Sequence, residues 1–290
     1  MSYITFKDLG KTGDTCSQIQ QYASLYTVAK KNNKEIVFTE SAYNAKCKHS
    51  TGEYEGFRFL NLLDISFSVV PDSEIEFVDI EVDVYKTIDP IVFECLKPDV
   101  NYNITTRFDS YHYWYELAGD DMFNLKFKKE VQEEAIKNIN FIKDKYPDKI
   151  LVSLHCRRGD YTSPVHKTVF AQLNSQYYGD AITKHFLDIY NQCVFLIFSD
   201  DIEYCKKSII SPSDNIEYIK GNDYVDMCMM SLCEHNIIAN SSYSWWAAYL
   251  NKNPNKKIVC PINYVVHDSN FSNMNGNYYP KKWNGIFNKA

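Results

Sequence analysis

From residue 150 onward the chain alternates short, mostly apolar runs with longer amphipathic stretches, and this alternation limits its fold more than any other feature. The runs at 150–154, 194–198, 216–219, 236–239 and 257–260 have the length of strands, and 194–198 is apolar at every position. Strands of that kind lie inside a parallel sheet that is covered on both faces. The stretches at 175–190, 202–208, 223–233 and 243–250 read as helices and supply the crossovers such a sheet needs. The expectation is a doubly wound α/β domain, whose ligands sit beyond the carboxyl ends of its strands.

The half before residue 150 is less regular. A helix is expected at 16–31, a strand at 35–38, and an amphipathic helix at 129–145 with Val131, Ala135, Ile139 and Ile142 on one face. Residues 43–123 show no clear period. Tyr146-Pro147-Asp148-Lys149 reads as a linker, which divides the chain into one domain at 1–147 and a ligand-binding domain at 148–290. A cleft is expected between them, with the last residues, 278–290, returning to the first domain. A chain of 290 residues, 45% hydrophobic, is long enough for two cores.

Several classes are disfavoured. The longest apolar stretches, such as 194–198 and 247–250, fall short of the roughly 18 residues that a membrane-spanning helix requires. Met1 to Asp8 lacks a basic start followed by an apolar run, so the expected location is cytoplasmic, with peripheral membrane association left open. Nine cysteines without a Cys-x-x-Cys pair suggest free thiols, and Cys228, Cys233 and His235 read as part of a buried helix rather than a zinc site. The sequons at Asn103, Asn240 and Asn270 then count as chance matches. A net charge of −6 argues against a nucleic-acid partner, which requires a basic face. The sequence does not set the oligomeric state.

Among 31 basic residues only Arg58, Arg107, Arg157 and Arg158 are arginine. In a chain that otherwise uses lysine, an adjacent pair of arginines suggests a site that needs the planar, five-donor guanidinium. The pair lies in His155-Cys156-Arg157-Arg158-Gly159-Asp160-Tyr161, directly after the apolar run at 150–154 and so at a strand's carboxyl end. A guanidinium placed there can neutralise a departing nucleotide diphosphate. Arg157 is assigned to the β-phosphate and glycosidic oxygen; Arg158 can reach the diphosphate or pair with Asp160, and Gly159 permits the turn. The sequence has no strict Asp-x-Asp for a metal; Asp79-Ile80-Glu81 and Glu81-Val82-Asp83 read as one face of a strand.

A second strand ends in Ser199-Asp200-Asp201, where a carboxylate can accept from guanine or ribose. Asp201 is read as the ligand and Asp200 as the cap of the following helix. A third ends in Asn240-Ser241-Ser242-Tyr243-Ser244, whose hydroxyls and free N–H groups at a helix start form a phosphate cradle. Trp245 and Trp246, next in the chain, read as core.

In this order and spacing the segments resemble the bacterial inverting α1,2-fucosyltransferases, with their H-x-R-R-G-D-Y, F-S-D-D and N-S-S-F-S-W-W-A-A-Y-L-N signatures. Here Tyr243 replaces the phenylalanine. Gln21-Tyr22-Ala23 resembles that family's N-terminal F-Q-Y-A helix, so the similarity spans most of the chain. The resemblance implies a GT-B-like fold of two Rossmann-like domains facing a cleft. It also implies GDP-fucose as donor substrate, no cofactor or required metal, and inverting transfer of L-fucose to a glycan, typically O2 of a β-galactoside. Through the resemblance His155, Arg157, Asp201 and the Ser241-Ser242 pair become donor contacts. With Arg158, Asp160, Tyr161, Asp200, Asn240 and Ser244 they complete the expected donor site.

The chain departs from the family at its start. The usual G-G-x-G-N-Q-x-F-Q-Y-A appears as Gly10-Lys11-Thr12-Gly13-Asp14-Thr15-Cys16-Ser17-Gln18-Ile19-Gln20-Gln21-Tyr22-Ala23, with Gln18 and Gln21 expected on a loop at the cleft. The general base stays open among Asp14, Asp109, His112 and Asp160. Competing readings are a fucosyltransferase of another linkage, a catalytically silent carbohydrate-binding relative, and an adhesion module that displays Arg158-Gly159-Asp160. The last is disfavoured because the tripeptide directly follows a buried run.

Overall fold

The computed structural model describes residues 2–11, 13–49, 52–80, 96–105, 125–209, 215–269, 272–276 and 278–288. Contacts group the chain into two units, Met1–Lys128 and Lys129–Ala290.

In the first unit the short strands β1 (Tyr3–Thr5), β2 (Glu35–Thr39), β5 (Ser68–Val70), β6 (Val78–Ile80) and β7 (Tyr102–Ile104) form a sheet in the order β5-β2-β1-β7-β6. All its pairings are parallel. Between β2 and β5 run a short helix, α2 (Glu40–Tyr43), and an antiparallel pair, β3 (Lys46–His49) with β4 (Gly52–Glu55). Helix α1 (Thr15–Lys31) begins where Asp14 accepts from the Ser17 N–H at 2.8 Å. Its last turn carries Lys30 and Lys31 at the negative end of the helix dipole.

The second unit is the doubly wound domain that the alternation predicts. Strands β8 (Ile150–Cys156), β9 (Cys193–Ser199), β10 (Ile216–Ile219), β11 (His235–Ile237), β12 (Ile258–Pro261) and β13 (Asn284–Ile286) lie in the order β10-β9-β8-β11-β12-β13. Every pairing is parallel. The helices are α3 (Lys129–Lys145), α4 (Ser175–Phe186), α5 (Ile202–Ser208), α6 (Asp223–Leu232) and α7 (Ser242–Leu250). β8 and β9 are paired along their whole length, from Ile150 opposite Cys193 to Cys156 opposite Ser199. From Leu151 to Cys156 and from Cys193 to Phe198 every residue is buried, which makes these the central strands of the core.

Two findings differ from the sequence reading. Helix α3 packs on α6 and belongs to the second unit, so the boundary lies at Lys128–Lys129 rather than after residue 147. Its apolar face, Val131, Ala135, Ile139 and Ile142, is buried there. The expected linker is tied into the same unit, since the Tyr146 hydroxyl donates to Glu217 at 2.6 Å. Of the last residues, Asn284–Ile286 form β13, an edge strand of the second sheet. Among the described residues no helix is long and apolar enough to cross a membrane.

Candidate active site

The sheet order brings the sequence motifs together. β8 lies between β9 and β11, and with parallel strands all three carboxyl ends point the same way. Direct bonds join the motifs. Arg157 Nη1 donates to Asp200, at the end of β9, and His155 Nδ1 lies 2.9 Å from Ser244 Oγ, in the first turn of α7.

Arg157 is held from two sides. Nη1 meets Asp200 Oδ2 and Nη2 meets Asp160 Oδ1, while the ring of Tyr161 lies 5.3 Å from the guanidinium carbon. Two carboxylates on separate nitrogens fix the plane of the fork, which a lone ammonium could not reproduce. Asp200 also accepts from the Arg158 N–H at 2.8 Å and so closes the turn. Gly159 is required here, because φ is +24° and a Cβ would stand 2.5 Å from Asp200 Oδ2.

Arg158 does not pair with Asp160, which takes Arg157 instead. Its guanidinium lies 3.7 Å above the Tyr204 ring, a cation–π contact, and its buried Nε has no hydrogen-bond partner among the described residues. Tyr204 escaped the sequence reading, since nothing in the α5 pattern marks one tyrosine as a platform.

The capping role read for Asp200 falls to Asp201. Asp201 is the N-cap of α5 and accepts from the Tyr204 N–H at 3.0 Å, whereas Asp200 braces the arginine turn. Ser199 joins both strand ends, donating to Cys156 O at 2.7 Å and accepting from the Asp201 N–H at 3.0 Å.

His155 is 5% exposed, and burial, helped by the charge of Arg157, pushes its pKa down to about 3. The imidazole is therefore neutral and acts as a hydrogen-bonding group, not as a charge. Ser244 Oγ also accepts from the Ala239 N–H at 3.2 Å. Asn240 is a structural brace, donating to Ala171 O and Tyr264 O at 2.8 and 2.9 Å. Ser241 is the N-cap of α7 and accepts from the Tyr243 N–H at 3.3 Å. Ser242 is thus the hydroxyl of this segment with no side-chain hydrogen bond among the described residues. Trp245 and Trp246 are core residues, 2% and 0% exposed.

Gln18 and Gln21 are not on a loop. Both lie within α1 and are completely buried, because the helix starts at Thr15 and turns this face inward. Gln18 Nε2 donates to Gly56 O at 2.7 Å, and neither amide atom of Gln21 is bonded among the described residues. Of the open candidates for a base, Asp14 caps α1, Asp160 holds Arg157, and Asp109 and His112 lie outside the described residues. Glu81, Val82 and Asp83 also lie outside them, as does Asn270.

His166 was missed. It follows the arginine turn with Nδ1 2.9 Å from Asp160 O and 3.8 Å from Asp160 Oδ2. Its ring stands edge-on to Phe170, which stacks on Tyr161 at 4.0 Å between centroids. Its place within a dozen residues of His155 was the only sequence signal. Among the described residues no group of three or more His, Cys, Asp or Glu is arranged to hold a metal. Cys233 Sγ donates to Met229 O, and His235 Nδ1 accepts from the Lys257 N–H.

Set beside known proteins, residues 14–287 match the profile of glycosyl transferase family 11. An alpha-1,2-colitosyltransferase of Escherichia coli is 37% identical over 167 residues, which are 50% of this chain and 57% of that protein. The match therefore spans little more than half the length of that relative. Mouse galactoside alpha-(1,2)-fucosyltransferase 2 is 21% identical over 286 residues, 92% of this chain and 73% of its own. Among solved structures, the fucosyltransferase NodZ from Bradyrhizobium superposes with a TM-score of 0.55 at 11% identity, covering 85% of this chain and 91% of that one. At such identity the likeness is one of fold, and the fold is α/β and GT-B-like.

Proposed function

The chain belongs to glycosyl transferase family 11, and from this membership and the geometry of the site we propose that it transfers L-fucose from GDP-fucose to a glycan hydroxyl. The proposed acceptor position is O2 of a β-galactoside, attacked with inversion, and the charge of the leaving group is met by arginine without a required metal. The observation that carries this reading is Arg157, fixed between Asp160 and Asp200 just past the carboxyl end of β8, two residues after the His155 that meets Ser244 in the first turn of α7.

In the proposed reaction the bond from fucose C1 to the β-phosphate oxygen breaks as the acceptor oxygen bonds to C1 from the opposite face. Negative charge grows on the diphosphate. Arg157 meets it at the glycosidic oxygen, while Ser242 and the positive end of the α7 dipole hold the phosphates. Neutral His155, anchored through Ser244, orients the donor without adding charge. The carboxylate oxygen of Asp201 not used for capping accepts from the nucleoside. The second unit thus binds the donor, and the first is assigned to the acceptor.

A second reading has its own support, because the 37% identical relative is named a colitosyltransferase. Colitose is fucose without its 3-hydroxyl, so the same leaving-group chemistry would serve. Purified protein given lactose, EDTA and either GDP-fucose or GDP-colitose decides between them. The expected result is GDP release with GDP-fucose and an α1,2-linked product by NMR. Turnover of GDP-colitose alone would support the second reading, and turnover of neither would refute both.

A further inference from the structure

We propose that His166 is the general base that takes the proton from the attacking acceptor hydroxyl. The inference rests on the transfer reading above and names a residue for its unassigned step.

The tautomer is fixed by the partner. Asp160 O is a carbonyl and can only accept, so the nitrogen 2.9 Å away, Nδ1, carries the hydrogen. The neutral ring then holds its lone pair on Nε2, which has no partner among the described residues. The side chain is 36% exposed, so a hydroxyl can reach it. The turn is also braced: the His166 N–H donates to Ser163 Oγ at 3.3 Å, and the ring rests on the edge of Phe170, itself packed between Tyr161 and Tyr264.

The position suits an inverting transfer. One carboxylate, Asp160, contacts the Arg157 guanidinium with Oδ1 and faces His166 Nδ1 with Oδ2 at 3.8 Å. A base for such a reaction must lie across the anomeric carbon from the group that receives the leaving charge. As the C1–O bond to GDP breaks and the new one forms, the acceptor proton moves to Nε2, and the imidazolium is balanced by Asp160. Net, GDP-fucose and an alcohol give fucoside, GDP and a proton, later released to solvent. The charged groups around the ring are Asp160, Arg157 beyond it, and Lys167, its chain neighbour; Tyr161 and Tyr264 are titratable groups behind Phe170.

The test is His166→Gln in the full chain, with lactose as acceptor and GDP-fucose as donor. Glutamine can still donate to Asp160 O but offers no basic nitrogen. The expected loss in kcat is about 10²-fold or more, with unchanged circular dichroism and GDP-fucose affinity, and without the fall in wild-type kcat at acid pH. His166→Ala should regain part of its rate with added imidazole. A variant that keeps roughly a third of wild-type kcat, retains the acid limb, or loses donor affinity in step with its rate would overturn the assignment. Failure of the wild type to turn over any donor refutes the transfer reading instead, before any variant is compared.

Discussion

Arg157 shows what one residue type contributes that another of equal charge cannot. Its two terminal nitrogens are taken by different carboxylates from different strands' ends, Asp160 and Asp200. We therefore expect Arg157→Lys to fold normally yet to lose about 10²–10³-fold in kcat, measured as GDP release beside unchanged circular dichroism. Rates within a few-fold of wild type would remove Arg157 from the leaving-group site. The arginine pair was legible in the sequence because arginine is so scarce, and its placement after a buried strand followed from the apolar run. The division of labour between Asp200 and Asp201 was not legible. Both follow Ser199, and which one caps α5 depends on backbone angles, φ −137° and ψ 73° at Asp201, that a sequence pattern does not specify.

Elements within the alternating pattern of the second unit were readable even when short, whereas the short strands of the first unit were mostly not. The expected span at 129–145 matches α3, and 202–208 and 216–219 match α5 and β10. Three-residue strands such as β1 and β7 carry too few positions to show a period, and β13, Asn284-Gly285-Ile286, is held by its register with β12 rather than by its composition. The partner of α3 was hidden for a similar reason, because an apolar face tells that a helix packs but not on what. Helix α6 adds a conflict of forces. Asp226 lies in its first turn, where the helix dipole favours negative charge, yet burial, reinforced by Asp223, raises its pKa to about 6 against the pull of the Gly221 N–H. A carboxyl whose pKa is raised on folding contributes stability below its unfolded value, near 3.8, and loses it as pH rises through about 6. Asp226→Asn, which keeps an acceptor for Gly221, is expected to melt above the wild type at pH near 8 and to converge with it near pH 4. An equal difference at both pH values would contradict the burial argument.

At the scale of the whole molecule, two parallel α/β units form from one chain, and the regular one presents its motif-bearing strand ends side by side. That arrangement was anticipated for the second unit because a parallel sheet buries both faces and writes its strands as apolar runs. For the first unit only the family resemblance implied a Rossmann-like domain, since its strands are short and show no period in the sequence. The central claim is that the strand-end guanidinium receives the diphosphate of a departing nucleotide. A crystal structure of the protein with bound GDP tests it most directly. The account predicts the β-phosphate within hydrogen-bond reach of Arg157 and of the first turn of α7. GDP bound away from both, with Arg157 still held by Asp160 and Asp200, would contradict it.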